Sequence, residues 1–206
     1  MKNRKFSFFI FDLDGVILNS NSNMNKSWTK TSKDFGLNIK FSSYKKFIGL
    51  PFKIILKKLK VKDKFLEIEK YYKDQSIKNS NNLKLFSGVK KTLHILKKKK
   101  IQFSIVTSKD LERSKKILKR FKINPSSLHC PNAHFRGKPY ADHLNHAIKK
   151  NKFNKQLTCY VGDTHVDYLS SKNARIDFIF VTYGFGKKKN IYRNKINNFF
   201  GLLRYI

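Results

Sequence analysis

The sequence has few cysteines, few acidic residues and no long apolar run. Two cysteines, Cys130 and Cys159, in 206 residues are too few for a disulfide framework, so we expect free thiols in a reducing cytosol. No stretch approaches the ~20 apolar residues that a membrane-spanning helix needs. The apolar run at residues 6–11 is too short for a signal peptide, and Asp12 and Asp14 follow it directly. The sequence therefore predicts a soluble cytoplasmic protein with no membrane partner.

The shortage of acidic residues gives the chain a strong positive charge. Lys and Arg number 46 against 13 Asp and Glu, for a formal net charge of +33. Such a charge is typical of nucleic-acid or anionic-membrane binding when it is concentrated on one face or arm. Here the lysines occur in nearly every segment, which indicates a solvated surface. Nucleic acid is therefore not the favoured partner, although a basic binding protein remains the alternative from another functional class. The positive field would attract small anionic substrates.

Four short apolar runs, at residues 6–13, 101–107, 157–162 and 177–182, predict buried strands. Helical spacing of apolar residues separates the later runs, with lysines on the opposite face. Strands that alternate with helices predict an α/β protein, a Rossmann-like parallel sheet with helices on both faces. We place Pro139 in the first turn of the third of these helices. The helices are predicted around Val89, Leu93 and Leu96, around Leu111, Leu118 and Phe121, and around Leu144, Ala147 and Ile148.

Residues 19–85 show helical spacing and little of the alternation that is typical of strands. Met24, Trp28, Thr31 and Phe35 follow a helical period, and Pro51 begins a further helical stretch. We therefore predict a small helical domain, residues 19–85, inserted after the first strand. Residues 1–18 and 86–206 would form the α/β core.

Two carboxylates and a glycine follow the first predicted strand. Asp12 and Asp14 are two residues apart, so in an extended chain both side chains point to the same side. Burying a carboxylate without a partner is costly, which indicates a cation or a reaction at this point. Thr107 and Asp163 lie at the ends of two other predicted strands, where ligands bind in parallel sheets.

Four motifs, in this order, resemble those of the haloacid dehalogenase superfamily, in the branch of phosphoglycolate phosphatases and beta-phosphoglucomutases with a small helical cap. The first and fourth motifs are specific. The second and third are weak alone, and their position between the first and fourth strengthens the resemblance. The resemblance covers essentially the whole chain. The motifs are Phe11-Asp12-Leu13-Asp14-Gly15-Val16, Ile105-Val106-Thr107-Ser108-Lys109, Gly137-Lys138-Pro139 and Val161-Gly162-Asp163-Thr164-His165-Val166-Asp167.

The resemblance implies a catalytic role for each of several residues. Asp12 would be the nucleophile that forms an aspartyl-phosphate. Asp14 would be the general acid and then the general base, and its presence favours phosphate-ester chemistry over dehalogenation. Thr107 and Lys138 would bind the phosphoryl group. Ser108 is a further phosphate-binding candidate, although its position also suits a cap of the following helix.

The resemblance also implies a Mg²⁺ cofactor. Side chains of Asp12 and Asp163 and the backbone carbonyl of Asp14 would be its ligands. Asp167 lies four residues after Asp163, so on a helix the two would share one face. We expect Asp167 to hold a metal-bound water or Lys138, and Thr164 to cap the helix that follows.

The implied function is a Mg²⁺-dependent phosphatase acting on a small phosphorylated metabolite, a phosphoglycolate- or sugar-phosphate-like monoester. The alternative enzyme is a beta-phosphoglucomutase-like phosphomutase, which the four motifs do not separate from a phosphatase. The cap would close over the site and choose the substrate. The segment 47–51 and the neighbouring Lys45, Lys46 and Lys53 are the candidates for contacting the leaving group.

A second cluster of metal-ligand residues is present in the sequence. Cys130, His134, His143 and His146 lie within a short span and could suggest zinc. Their spacing is irregular beside real zinc patterns, so satisfied or exposed histidines are the favoured interpretation.

Overall fold

The fold is that of a computed structural model, which describes residues 4–187 and 189–206. These residues form eight strands and eight α-helices, with a final 3₁₀ helix at Phe199–Tyr205. In chain order the elements are β1 Phe8–Phe11, β2 Leu18–Asn19, α1 Asn21–Asp34, α2 Phe41–Lys45, α3 Phe52–Lys58, α4 Phe65–Lys78, β3 Lys84–Leu85, α5 Val89–Lys98, β4 Gln102–Val106, α6 Leu111–Phe121, β5 Ser127–His129, α7 Asp142–Lys150, β6 Thr158–Gly162, α8 His165–Ala174, β7 Asp177–Val181 and β8 Asn194–Ile196.

One parallel sheet organises the described part of the chain, with six strands in the order β5-β4-β1-β6-β7-β8. Strand β1 lies in the middle, where Phe11 pairs with Ile105 of β4 on one side and with Val161 of β6 on the other. The predicted α/β, Rossmann-like fold is confirmed. Because every strand runs the same way, the carboxyl ends of β1, β4 and β6 meet at one edge.

Strand β1 is buried on both faces, which explains its unbroken apolar sequence. Phe9 and Phe11 belong to the core on the side of α5, α6 and the 3₁₀ helix. Phe8 and Ile10 pack on the opposite side with residues of α7 such as Leu144. The sheet is thus a rigid layer between two helical layers, and its central strand ends at Asp12.

The four predicted strands are confirmed, each one to four residues shorter than its apolar run. The predicted helices correspond to α5, α6 and α7. Strands β5 and β8 were not predicted, because three residues are too few to show a period. They form the two edges of the sheet.

The segment between β2 and β3 is helical, as predicted, and has an apolar core of its own. The Trp28 ring stacks on Tyr44 with ring centroids 4.5 Å apart, and its indole N–H donates to the Ile39 carbonyl over 2.9 Å. The segment enters and leaves through a short antiparallel pair, β2 with β3, where Leu18 pairs with Leu85. This pair was missed because each strand has two residues.

The prediction for Pro139 is wrong. Helix α7 begins at Asp142, and Pro139 lies in a turn closed by a hydrogen bond from the Tyr140 N–H to the Gly137 carbonyl, 3.1 Å long. In this turn the Lys138 side chain is buried in the protein interior. Asp142 instead holds the Arg136 guanidinium at 3.0 Å.

None of the helices formed by residues 4–187 and 189–206 has the length and apolar character to cross a membrane. Both cysteines are buried free thiols, and burial raises the pKa of each. Neither side chain is poised for thiolate chemistry.

Candidate active site

Three predicted site residues follow the three central strands. Asp12 comes after β1, Thr107 after β4 and Asp163 after β6. The backbone N–H of Asp12 donates to the Val161 carbonyl, and that of Thr107 donates to the His129 carbonyl, each over 3.0 Å. These bonds continue the sheet ladder past the strand ends, so the sheet positions the backbone at Asp12 and Thr107.

Lys138 lies between two buried carboxylates. Its Nζ is 2.7 Å from Oδ1 of Asp12 and 2.7 Å from Oδ1 of Asp167, and it lies over the Tyr160 ring, 5.4 Å from the centroid. Burial acts to lower the pKa of Lys138, but the two carboxylates outweigh it and raise that pKa. Burial raises the pKa of Asp12 to about 7 against the opposing effect of Lys138. The predicted pairing of Lys138 with Asp12 is therefore present.

Both carboxylate oxygens of Asp167 are fully used by protein donors. Oδ1 accepts from Lys138 at 2.7 Å and from the Tyr160 hydroxyl at 2.8 Å. Oδ2 accepts from the Thr164 N–H at 3.0 Å and its hydroxyl at 2.6 Å. Burial acts to raise the pKa of Asp167, yet Lys138 and these hydrogen bonds lower it. Asp167 therefore fixes Lys138 and has no free oxygen for a metal ion.

Thr164 caps helix α8, as predicted, and forms a reciprocal capping box with Asp167. The expectation that Asp163 and Asp167 share a helix face is wrong. Helix α8 begins at His165, so Asp163 precedes both the helix and its capping residue. This position lets Asp163 turn back toward Asp12.

Asp163 is fully buried with one oxygen uncompensated. Its Oδ2 accepts from the Phe185 N–H at 2.6 Å, whereas its Oδ1 has no hydrogen-bond partner among the described residues. Burial, reinforced by Asp167 and Asp12, raises the pKa of Asp163 well above its ordinary value. A buried, unpaired carboxylate oxygen beside a second carboxylate is the donor set that a hard divalent cation prefers.

The acidic cluster is tightly enclosed. One oxygen from each of Asp12, Asp163 and Asp167 lies within 4.8 Å of the others. Gly15 has a φ of +88°, and a Cβ there would overlap the Asp163 carboxylate. A Cβ at Gly184 would overlap the same side chain. Glycine is required at both positions because the backbone approaches Asp163 so closely.

Asp14 also reaches the site, with partners of its own. Its Oδ1 accepts from the Ser20 hydroxyl at 2.6 Å, and its Oδ2 lies 3.2 Å from the Lys109 ammonium. Burial lowers the pKa of Lys109 despite the attraction of Asp14. The two carboxylates of the first motif are thus held by different lysines, Asp12 by Lys138 and Asp14 by Lys109.

A cavity of about 60 Å³ connects these groups to the helical segment. The sheet edge contributes Asp12, Asp14, Thr107 and Ser108 to its wall. The α6 side contributes Lys109 and Arg113, and residues of α1–α4 with their connecting loop close the opposite side: Met24, Tyr44, Ile48, Gly49, Leu50, Phe52, Ile55 and Tyr72. The predicted segment 47–51 thus contributes three residues to the cavity wall, whereas Lys45, Lys46 and Lys53 are exposed and lie outside it.

Ser108 does not cap helix α6. Asp110 is the capping residue and accepts from the Arg113 N–H at 3.0 Å. The Ser108 hydroxyl donates instead to the Gly49 carbonyl at 2.7 Å. This bond ties the phosphate-binding candidate to the loop of the helical segment that lies over the site.

The alternative zinc cluster is not assembled. Within the part of the chain that the structure describes, the one group of three His, Cys, Asp or Glu side chains close enough to share an ion is Asp12, Asp163 and Asp167, which includes none of the four residues of the zinc cluster. His146 packs against the His129 ring, and both nitrogens of His143 are buried without a partner among the described residues. Burial lowers the pKa of His143 and lowers that of His129 to about 4, so both are neutral near pH 7.

Three side chains of the site were not predicted. Tyr160 lies inside a buried strand, where an aromatic residue looks like core, yet its hydroxyl fixes Asp167. Lys109 belongs to the second motif, but one lysine among so many carries little information. Arg113 belongs to none of the four motifs, and only the cavity that it lines indicates a role for it.

Comparison with known proteins finds a matching family model, a curated relative and solved structures of similar fold. Residues 9–181 match the family model described as haloacid dehalogenase-like hydrolase. A protein of Caldanaerobacter subterraneus subsp. tengcongensis, provisionally named pyrophosphatase PpaX, is 30% identical over 186 residues, which are 87% of this chain and 83% of that protein.

Solved structures share the fold over nearly the whole chain. A protein from Lactobacillus plantarum, provisionally described as a phosphoglycolate phosphatase, superposes with a TM-score of 0.89 at 17% identity and covers 98% of this chain and 100% of its own. The haloacid dehalogenase-like family protein SP0104 from Streptococcus pneumoniae has a TM-score of 0.85 at 22% identity, with 97% and 98% covered.

Proposed function

The chain belongs to the haloacid dehalogenase-like hydrolase family, and we propose that it is a Mg²⁺-dependent phosphatase acting on a small phosphate ester or anhydride. The observation that carries the proposal is the buried arrangement in which Lys138 joins Asp12 to Asp167 beside the uncompensated oxygen of Asp163. The provisional name of the Caldanaerobacter relative supports including pyrophosphate among the candidate substrates.

Asp12 is the proposed nucleophile. One of its oxygens attacks phosphorus, the bond from phosphorus to the leaving oxygen breaks, and Asp14 gives that oxygen a proton. A water then attacks the phosphorus of the aspartyl-phosphate, Asp14 takes a proton from that water, and the bond to Asp12 breaks. Lys138 holds the Asp12 carboxylate in place and offers positive charge to the phosphoryl oxygens, while Thr107 offers its hydroxyl from the end of β4.

The residues present fit a divalent cation. Asp163 has a buried oxygen with no partner from the described residues, and Asp12 provides a second carboxylate within 4.8 Å. We assign Asp12 and Asp163 as side-chain ligands and the Asp14 carbonyl as a further one. Bound Mg²⁺ would neutralise the repulsion between the Asp12 carboxylate and the phosphate.

Residues 19–85 are proposed to act as a cap over the site. Tyr44 and Tyr72, both from this segment, line the cavity, and Ser108 holds the Gly49 carbonyl. A closed cap would exclude bulk water while the first step proceeds.

The test is phosphate release from an aryl phosphate with and without Mg²⁺. We expect release by the wild-type protein with Mg²⁺, none after chelation, and none from Asp12→Asn. The matched control is Asp63→Asn, which changes an exposed aspartate in the helical segment and should leave release unchanged. Normal turnover by Asp12→Asn would refute the nucleophile. Transfer of phosphate within a hexose 1-phosphate, without release, would indicate the phosphomutase instead.

A further inference from the structure

Arg113 lines the cavity and has an unused hydrogen-bond donor. Its side chain is 11% exposed and its Nε lies 2.5 Å from Oδ2 of Asp110. Its Nη1 is buried and has no hydrogen-bond partner from residues 4–187 or 189–206. Leaving a charged group's donor buried and unpaired costs free energy, which indicates that a partner from outside the chain completes it.

The surroundings of Arg113 are rich in donors. Its guanidinium lies over the Tyr72 ring, 5.7 Å from the centroid. The Tyr72 hydroxyl is 3.2 Å from the Tyr44 hydroxyl, and both tyrosines line the same cavity as Arg113. Lys109, also in the wall, is close enough to Arg113 for the guanidinium to lower its pKa. The cavity lining thus includes two hydroxyls and two cations, and each cation also has an aspartate partner.

The same cavity holds the proposed phosphoryl site, since Asp12 and Thr107 also line it. A substrate phosphorylated at one end would therefore place its leaving group against Arg113. A leaving group that ends in an oxyanion matches the unused donor of Arg113.

The geometry points to a second anion subsite, in which Arg113, supported by Lys109, binds a carboxylate or phosphate on the leaving group. This inference rests on the proposed function for the position of the phosphoryl end. It makes Arg113 a specificity-determining residue and defines the substrate class: small phosphate esters or anhydrides that carry a second anionic group. A planar guanidinium recognises both kinds of oxyanion.

The experiment measures binding without turnover. In an Asp12→Asn background with Mg²⁺, calorimetry gives the Kd of phosphoglycolate, pyrophosphate and methyl phosphate. We expect at least one of the two doubly anionic ligands to bind about 10- to 100-fold more tightly than methyl phosphate, the range for a hydrogen bond to a charged group. Preference for phosphoglycolate would identify a carboxylate, and preference for pyrophosphate would identify a phosphate.

The variant Arg113→Gln should remove most of that preference, whereas Lys115→Gln, which removes an exposed charge from the same helix, should keep it. Equal affinity for all three ligands in the Asp12→Asn background would overturn the inference, as would a preference that survives Arg113→Gln. If Arg113→Gln fails to fold, Arg113→Lys is measured instead and should lose part of the preference, because lysine does not reproduce the planar guanidinium; an undiminished preference there would overturn the inference.

The two proposals fail separately. No phosphate release by the wild-type protein from any of the three ligands would contradict the proposed phosphatase, while an Arg113-dependent binding preference would still support the subsite. Release from an aryl phosphate with no binding preference would support the phosphatase and overturn the subsite.

Discussion

The ammonium of Lys138 lies 2.7 Å from the carboxylate of Asp12, 126 residues away in the sequence, and both side chains are buried. A lysine in such a position is not an interchangeable surface charge. It neutralises Asp12 on one side and Asp167 on the other, so it couples the stability of the sheet edge to the chemistry proposed there.

Replacing Lys138 by Met should be strongly destabilising. Two buried carboxylates would lose their shared cation, and breaking a buried ion pair from one side costs about 3 to 5 kcal/mol. The free energy of unfolding, measured with urea, checks this. Lys149→Met, on the exposed face of α7, should change it by less than about 0.5 kcal/mol. Adding Asp167→Asn to Lys138→Met should recover part of the loss; a purely additive double variant would contradict the coupling.

Asp163→Asn should stabilise the metal-free protein and abolish its response to Mg²⁺. The substitution removes a buried charge whose Oδ1 has no partner within the described chain, yet it keeps the acceptor for the Phe185 N–H. In the wild-type protein, Mg²⁺ at about 100 times its Kd should add about 2.7 kcal/mol. Thermal unfolding in EDTA and in a Mg²⁺ series gives both quantities. A wild-type-like Mg²⁺ response in Asp163→Asn would show that the ion is held elsewhere.

Gly49→Ala should impair activity by displacing the proposed cap. Gly49 has a φ of +102°, and a Cβ there would lie 2.8 Å from the Thr164 hydroxyl oxygen of the core. Because small misplacements in an active site are costly, kcat/KM should fall at least about tenfold.

Gly36→Ala is the matched control for that variant. Gly36 also has a positive φ, of +62°, but nothing lies within 4 Å of a Cβ built there. It should lose only about 1 kcal/mol of stability from backbone strain and keep its kcat/KM. Equal activity losses in the two variants would show that strain, not the contact with Thr164, is responsible.

The histidine cluster should make the protein less stable as the pH falls. Burial, with help from His146, lowers the pKa of His129 from 6.5 to about 4. The unfolded chain therefore binds a proton at a pH where the folded protein does not, so the contribution is present above pH 6.5 and is lost as the pH falls toward 4. Between pH 7 and 5 this one group should cost at most about 2 kcal/mol.

The variant His129→Gln isolates that contribution, since Gln can still bond the Ser127 hydroxyl that His129 contacts over 2.9 Å. Its unfolding free energy should fall less between pH 7 and 5 than that of the wild-type protein. Parallel pH profiles for the two proteins would show that His129 does not titrate differently on folding.

Much of the fold and part of the site could be predicted from local sequence. Asp12 and Asp14 could be predicted as site residues because burying a carboxylate directly after an apolar strand costs free energy unless a cation or a reaction compensates it. The strand itself was visible because both faces of β1 are covered, which leaves an unbroken apolar run. The short strands β5 and β8 were missed because their pairing depends on neighbours distant in the sequence.

The rest of the site depends on contacts that leave no local pattern. Lys138 gained a role only from its motif, and Lys109 and Arg113 looked like ordinary members of a lysine-rich surface. Pro139 looked like the start of a helix because the need to direct Lys138 inward cannot be read from spacing. Ser108 looked like the cap of the following helix, but Asp110, two residues later, takes that place.

The most direct test of the central claim is to trap the phosphoryl group on the protein. Wild-type protein with Mg²⁺ and substrate is quenched in acid within one turnover, reduced with borohydride and analysed by peptide mass spectrometry. The account predicts a modified residue at Asp12 in the wild-type protein and none in Asp12→Asn. Phosphate release without any modification of Asp12, or modification of a different residue, would contradict it.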